Sequence, residues 1–228
     1  MRARIIVLLC VIAGLPPIKT AHAGDNGWVS GFHVAGIPGR VDCVIDYQGD
    51  LVAAGRFRAA TDVLTRNIAR WDGTKWHPLG EGIAYGVACA TVHGTFLVVA
   101  STPSPSGLVS IREWDGDSWR GLGEANGSVL ALMSWEDRLY AAGSFSSLDG
   151  VPVNRLACRD SAGWSAVGAG VDNTVRALAI YDGSLIAGGD FTRAGNGAAD
   201  HVASWNGSTW SAMEEGLEIG RASCRERV

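Results

Sequence analysis

The chain has 228 residues, of which 47% are hydrophobic and 18% charged, with 31 glycines, nine tryptophans and a formal net charge of −4. This length and hydrophobic content suit one sizeable core or several stacked small units, and they argue against intrinsic disorder. Many glycines and tryptophans with few charges are untypical of a helical bundle. The acidic balance also disfavours nucleic acid and anionic membranes as partners.

Residues 1–23 have the pattern of a secretory signal. Arg2 and Arg4 precede the apolar run Ile5–Gly14, and Ala21-His22-Ala23 matches an A-x-A cleavage pattern. Pro16-Pro17 interrupts a run that is already shorter than the roughly 20 residues needed to span a bilayer. We therefore expect cleavage after residue 23, no membrane insertion, and a secreted, periplasmic or cell-surface product.

One pattern recurs four times between residues 24 and 217. Each copy has a valine followed ten residues later by a leucine, in the pairs Val41/Leu51, Val87/Leu97, Val129/Leu139 and Val175/Leu185. Each copy also ends near a tryptophan, namely Trp76, Trp119, Trp164 or Trp210. The sequence therefore predicts four repeats, at about 41–80, 87–123, 129–168 and 175–214.

Each repeat contains four short apolar runs separated by turn residues, and none of the runs has helical spacing. In the third repeat the runs are Val129–Ser134, Leu139–Gly143, Asn154–Cys158 and Gly163–Val167. Asp-Gly or Asn-Gly before the fourth run favours a tight hairpin, across which the flanking tryptophans are expected to pair. The predicted fold is all-β, a β-propeller with four visible four-stranded blades and an N-terminal strand near Trp28, and we expect the ring to be incomplete.

A glycine recurs at the end of the second run, at Gly55, Gly143 and Gly189, with Ser101 in the second repeat. We expect this column to let neighbouring sheets approach closely. Three cysteines, Cys43, Cys89 and Cys158, lie between residues 24 and 217. We expect free, buried thiols because equivalent positions on adjacent strands are too far apart for a disulfide.

The units VxALxxYxGxLIAGGxF and NxxAxWDGxxWxxLGxG resemble the repeats of kelch-type and galactose-oxidase-like propellers, above all those of exported propellers related to fungal cortical polarity markers. The resemblance covers Trp28–Gly216 and implies a propeller fold. It implies no particular activity, because propellers host many unrelated functions.

Galactose oxidases hold copper with two tyrosines and two histidines, and one of those tyrosines is linked to a cysteine. The candidates here are Tyr47, Tyr85, Tyr140, Tyr181, His33, His77, His93 and His201. They show no metal-ligand spacing and no assignable Tyr–Cys pair, and no other catalytic motif is present. We therefore expect no metal, no cofactor and no catalytic residue in this chain.

Short, uniform turns are predicted at one end of the strands and longer, variable loops at the other. Binding sites favour irregular loops on a rigid frame, so a ligand-binding site is predicted on the loop end. Its candidate residues are Glu81, Tyr85, Glu124, Asn126, Asp172 and Asn173. The alternative is that these residues are only solvated connections.

The favoured function is a non-catalytic, exported recognition or scaffolding module for protein or glycan partners. The alternative is the propeller portion of a carbohydrate-active or galactose-oxidase-like enzyme whose catalytic residues lie downstream. Residues 218–228, EIGRASCRERV, resemble a translated sequencing adapter. We therefore expect a non-native tail there and a gene that continues beyond Leu217.

Overall fold

The computed structural model describes residues 36–213, which form 22 β-strands and no helix. The all-β prediction is confirmed for this part of the chain, and it accordingly holds no helix of the length and hydrophobicity that crossing a bilayer requires. The predicted signal at 1–23, the strand near Trp28 and the tail at 218–228 lie outside the described residues.

Four antiparallel sheets follow one another along the chain, each built from strands that pair in the order in which they occur. Sheet 1 contains β1 (Gly39–Tyr47), β2 (Asp50–Phe57), β5 (Ile68–Trp71) and β6 (Trp76–Pro78). Sheet 2 contains β7 (Val87–His93), β8 (Phe96–Ser101), β9 (Val109–Trp114) and β10 (Trp119–Ala125). Sheet 3 contains β11 (Val129–Trp135), β12 (Arg138–Gly143), β15 (Leu156–Asp160) and β16 (Gly163–Ala166). Sheet 4 contains β17 (Val175–Tyr181), β18 (Ser184–Gly189), β21 (Val202–Trp205) and β22 (Trp210–Ala212).

Three small hairpins, each made of two strands of two residues, lie between the second and third strands of sheets 1, 3 and 4. The sequence did not predict them. They are β3 (Ala59–Ala60) with β4 (Val63–Leu64), β13 (Ser147–Leu148) with β14 (Val151–Pro152), and β19 (Arg193–Ala194) with β20 (Gly197–Ala198). The middle hairpin pairs with the last strand of sheet 2 through Ala125 and Leu148, so sheet 2 has six strands. The hairpin of the third repeat thus extends towards the repeat before it.

Tryptophan pairs close three of the four sheets, as the sequence predicted. The ring centroids lie 5.4 Å apart for Trp71–Trp76, 5.2 Å for Trp114–Trp119 and 5.4 Å for Trp205–Trp210. In sheet 3 an arginine, Arg159, stands opposite Trp164. Such cross-strand aromatic pairs add stability to a short ladder beyond the area that they bury.

The glycine column has a different cause from the one expected. The first strand of each sheet carries a β-bulge, between Val41 and Cys43 in sheet 1 and at the equivalent point of the other three. A Cβ atom on Gly143 would collide with the carbonyl oxygen of Ser128 on the bulged strand of its own sheet, and Gly55 and Gly189 meet equivalent carbonyls. The glycines therefore make room for the bulge within one sheet, not for a neighbouring sheet.

The sheets pack face to face in chain order, and a separate core fills each of the three interfaces. Between sheets 1 and 2 the core includes Tyr47, Val52, Leu97 and Trp114. Equivalent cores lie between sheets 2 and 3 and between sheets 3 and 4. The first strands also follow one another, since β7 lies beside both β1 and β11, and β11 lies beside β17.

A hydrogen bond from an indole joins each repeat to the one before it. The Nε1 atoms of Trp119, Trp164 and Trp210 donate to the carbonyls of Leu79, Leu122 and Val167, at 2.9, 2.6 and 3.0 Å. The residue after each accepting carbonyl is a glycine that lies against a tryptophan of the next repeat, in the column Gly80, Gly123 and Gly168. The closing tryptophan of a repeat is therefore part of the interface with its neighbour.

Candidate functional site

The strands place the two kinds of connection at opposite ends of the sheets. The short turns lie at one end, which we call the turn side. They are the two-residue connections such as 48–49 and 136–137 and the Asp-Gly or Asn-Gly turns. The connections that carry the small hairpins, together with 79–86, 126–128 and 167–174, lie at the other end, which we call the loop side. Because antiparallel strands alternate in direction, this division follows from the strand order alone.

Acidic and amide side chains in the turns of the turn side accept hydrogen bonds from the backbone of those turns. The Oδ1 atom of Asp72 accepts hydrogen bonds from the backbone N–H groups of Thr74 and Lys75, at 2.8 and 2.9 Å. Asp115 and Asn206 accept equivalent bonds in sheets 2 and 4. These side chains therefore stabilise the turns and are not free acids.

Two of the predicted site residues have a structural task on the loop side. Asn126 Oδ1 accepts hydrogen bonds from the backbone N–H groups of Ser146 and Ser147, at 2.9 and 3.0 Å. Asp172 Oδ1 accepts the equivalent pair from Thr192 and Arg193, at 2.9 and 3.0 Å. Each side chain thus holds the start of a small hairpin, through the residues 20 and 21 positions further along the chain.

The charge of Asp172 is stabilised by these bonds. Desolvation is the largest single influence and would raise the pKa of this carboxyl. The backbone N–H groups of Arg193 and Thr192 and the Thr192 hydroxyl act in the other direction, and the net result is a lowered pKa. Asp172 is therefore an ionised hairpin clamp and is unsuited to act as a general acid.

The structure separates the remaining candidates. Glu81 lies in the 79–86 connection, where its Oε1 atom accepts a hydrogen bond from Arg112 Nη1 at 3.2 Å. Glu124 was predicted in a loop but lies in strand β10, because the hairpin β13–β14 extends sheet 2 on that side. Asn173 bonds locally, with Nδ2 donating to the carbonyl of Asp190 at 3.3 Å. None of these three contacts places a reactive group opposite another.

Tyr85 differs from the other candidates, since its side chain is 57% exposed and its backbone has a φ of +63°. Its carbonyl accepts a hydrogen bond from the hydroxyl of Thr102, which fixes the backbone. A bulky residue in the left-handed region is disfavoured by about 1–2 kcal/mol. The second repeat therefore carries an exposed aromatic side chain on a left-handed backbone, a conformation that suits glycine better.

An open cleft of about 230 Å³ lies on the loop side between the third and fourth repeats. Its lining residues are Asn154, Arg155, Ala169, Gly170, Val171, Asp172, Arg193 and Gly195. Arg155 Nη1 donates to the carbonyl of Phe145 at 3.2 Å, and Arg193 Nη2 donates to that of Asn196 at 3.3 Å. Neither guanidinium has an ion-pair partner within residues 36–213, so the cleft has a positive bias and suits an acidic or hydroxyl-rich group.

Sequence reasoning found Asp172 but missed the two arginines of this cleft. The spacing of 20 residues from Asn126 to Ser146 recurs from Asp172 to Thr192, and an alignment of these connections could have revealed the hairpins. No sequence signal marks Arg193, which reaches the cleft only because its hairpin folds back to pair Ala194 with Val171.

The thiols and metal-ligating residues of the described part do not form a reactive centre. Cys43, Cys89 and Cys158 are free, as predicted, but only Cys158 is buried and the other two are half-buried. Burial, with a smaller contribution from Asp42, raises the pKa of Cys43 to about 12. This thiol is therefore protonated and unreactive at neutral pH. Within residues 36–213, no three His, Cys, Asp or Glu side chains gather to hold a metal ion.

No protein-family model and no curated protein matches the chain. Two solved structures with a similar backbone are the computationally designed proteins Ika4 and Ika8. Ika4 is 15% identical, with 75% of this chain and 92% of that chain covered and a TM-score of 0.49. Ika8 is 13% identical, with 72% of this chain and 45% of that chain covered and a TM-score of 0.43. The chain thus spans less than half the length of Ika8, and similarity at this level carries no argument for fold or function.

Proposed function

We propose that this chain is an exported, non-catalytic β-propeller module that binds a protein or glycan partner through its loop side. Face-to-face packing of four sheets in chain order, with their first strands side by side, supports the propeller arrangement. The basic, apolar and A-x-A pattern of residues 1–23 supports export.

The observation that carries the proposal is Tyr85. A tyrosine ring combines an apolar face with a hydroxyl and loses little conformational entropy on binding, so it suits contacts with peptides and sugars alike. At this position the ring is exposed, the backbone is fixed by Thr102, and the left-handed conformation costs stability. Strained backbone of this kind is often found at functional sites.

The cleft at Arg193 adds a second point of contact on the same side. Arg193 is exposed, and its backbone N–H donates to the carboxylate of Asp172, which lines the same cleft. Asp172 and Asn126 support the binding surface by holding the hairpins, so their role in recognition is indirect. A partner with carboxylate, sulfate or several hydroxyl groups fits this cleft.

A binding screen of the full chain against a glycan array and a panel of extracellular proteins tests the proposal. We expect Tyr85→Ala and Arg193→Gln to weaken binding of the recovered partner at least about tenfold, as central interface residues do. Tyr85→Phe should retain most of the affinity, and Lys75→Gln, an exposed charge on the turn side, should leave it unchanged. Equal affinity in all four variants, or conversion of a substrate by the chain, would refute a non-catalytic module of this design.

A further inference from the structure

Sheet 1 presents an apolar face on the side away from sheet 2. Val41 and Leu51 are 40% and 44% exposed on this face. The equivalent residues of sheet 2, Val87 and Leu97, are completely buried, because sheet 1 covers them. Trp71 and Trp76 are half-buried on the same face of sheet 1. We call this surface the leading face.

Sheet 4 presents the opposite kind of face, on the side away from sheet 3. Tyr181 is 68% exposed there, whereas the equivalent residues Tyr47 and Trp135 are buried. Ile186 is only half-buried, while Tyr140, its equivalent in sheet 3, is buried by sheet 4. Ala177 and Ala179 complete this surface, which we call the trailing face.

The leading and trailing faces are the two halves of an interface that the chain builds three times internally. In every internal interface, the trailing side of one repeat receives the valine, leucine and closing tryptophan of the next. The hydrogen-bonding groups also match. Trp76 is the repeat equivalent of Trp119, and its indole N–H has no acceptor within residues 36–213. In the third repeat the carbonyl of Val167 accepts the hydrogen bond from the next tryptophan, Trp210. The equivalent carbonyl of the fourth repeat belongs to Met213, which is 38% exposed.

We propose that the trailing face of one copy of this chain binds the leading face of a second copy, head to tail. The chain's own two faces do not cover each other, since Val41, Leu51 and Tyr181 are all exposed. Contiguous apolar surface of this kind marks an interaction site. The occupant is a second copy because these same repeats carry the matching valine, leucine and tryptophan columns at the matching spacing. Such an interface is heterologous, so two contacts can close a two-copy ring.

Sedimentation velocity of the full chain over a wide concentration range, with two charge-introducing variants, tests this inference. Leu51→Glu places a carboxylate on the leading face, and Tyr181→Glu places one on the trailing face. Both side chains are substantially exposed, so neither variant removes a filled core position. Leu64→Glu is the matched control, because Leu64 is 83% exposed and its repeat equivalent, Pro152, stays exposed where sheets 2 and 3 meet.

The wild-type chain and Leu64→Glu are expected to associate, while Leu51→Glu and Tyr181→Glu alone each weaken self-association at least about tenfold, since a buried unpaired charge opposes the contact. An equimolar mixture of the two variants should restore one contact, because the trailing face of Leu51→Glu and the leading face of Tyr181→Glu are both intact. Circular dichroism of every variant checks that the sheets are retained.

Three results would overturn the inference: a wild-type chain that stays monomeric at all concentrations, a variant that still associates alone, or a mixture that fails to restore the contact. Association of Tyr181→Glu alone would indicate that two leading faces pair with each other. These readouts are independent of ligand binding on the loop side, so the two proposals succeed or fail separately.

Discussion

Replacing Gly168 with alanine should show how closely consecutive repeats are packed. Gly168 has a φ of +55°, and a Cβ atom there would lie 2.8 Å from Cζ3 and 3.0 Å from Cη2 of Trp205 in the next repeat. Gly183 has a φ of +68° but no atom within 4 Å of the equivalent Cβ position. The two glycines thus share the backbone conformation and differ only in their neighbour.

The magnitudes follow from this difference. A left-handed alanine costs about 1–2 kcal/mol, while the reduced freedom of the unfolded chain returns about 0.4–1 kcal/mol. Gly183→Ala should therefore lower the free energy of unfolding by roughly 0–1.5 kcal/mol. Gly168→Ala carries the same backbone cost plus overpacking against an indole that is itself held in the core, which adds about 1–3 kcal/mol.

Urea unfolding followed by tryptophan fluorescence measures both free energies by linear extrapolation. Gly80→Ala provides a repeat of the experiment, because its Cβ would also lie 2.8 Å from the next tryptophan, Trp114. We expect Gly168→Ala and Gly80→Ala to be destabilised alike, and both more than Gly183→Ala. Equal losses at Gly168 and Gly183 would show that the indole does not lie on the glycine, and the described interface would be wrong.

Further substitutions test other parts of the account by the same urea assay. Gly143→Ala should destabilise the chain by more than 1 kcal/mol, roughly the cost of overpacking, whereas Gly121→Ala, with open space around its Cβ, should be neutral or slightly stabilising. Trp210→Phe should cost about 1–3 kcal/mol because the Val167 carbonyl loses its indole donor, and a near-zero change would contradict that bond. The pKa of Asp172 is lower in the folded chain, so its contribution is present above about pH 4 and is lost as the pH falls through the folded-state value. The stability difference between wild type and Asp172→Asn should therefore shrink below pH 4, and a constant difference would show that the hairpin does not stabilise the ionised carboxylate.

The strand content and the antiparallel four-stranded sheets could be predicted because both depend on local, recurring signals. The recurring valines and leucines indicate which strand positions are buried. Asp-Gly or Asn-Gly indicates a tight hairpin independently of distant contacts. The tryptophan pairs followed from the hairpin register alone. Four copies in one register made each signal stronger than it would be in a single sheet.

The remaining features depend on contacts between residues distant in sequence. The hairpins β3–β4, β13–β14 and β19–β20 have two-residue strands, too short to show any periodicity. The glycine column was assigned to neighbouring sheets because a bulge in the preceding strand leaves no mark in the sequence around the glycine. Asn126 and Asp172 were predicted as ligand-binding residues, but each holds a hairpin, and an exposed polar side chain looks the same in both roles. Tyr85 stood out only when its φ angle was known.

The most direct test of the central claim, that each repeat is joined to the one before it through its closing tryptophan, is indole hydrogen exchange by NMR. The experiment uses ¹⁵N-tryptophan-labelled Tyr181→Glu chain at a concentration where sedimentation shows it to be monomeric, so that association does not protect the leading face. The account predicts slow exchange for Trp119, Trp164 and Trp210, whose N–H groups donate to the preceding repeat, and fast exchange for Trp76, which has no such acceptor among residues 36–213. Exchange at one common rate for all four indoles would contradict it.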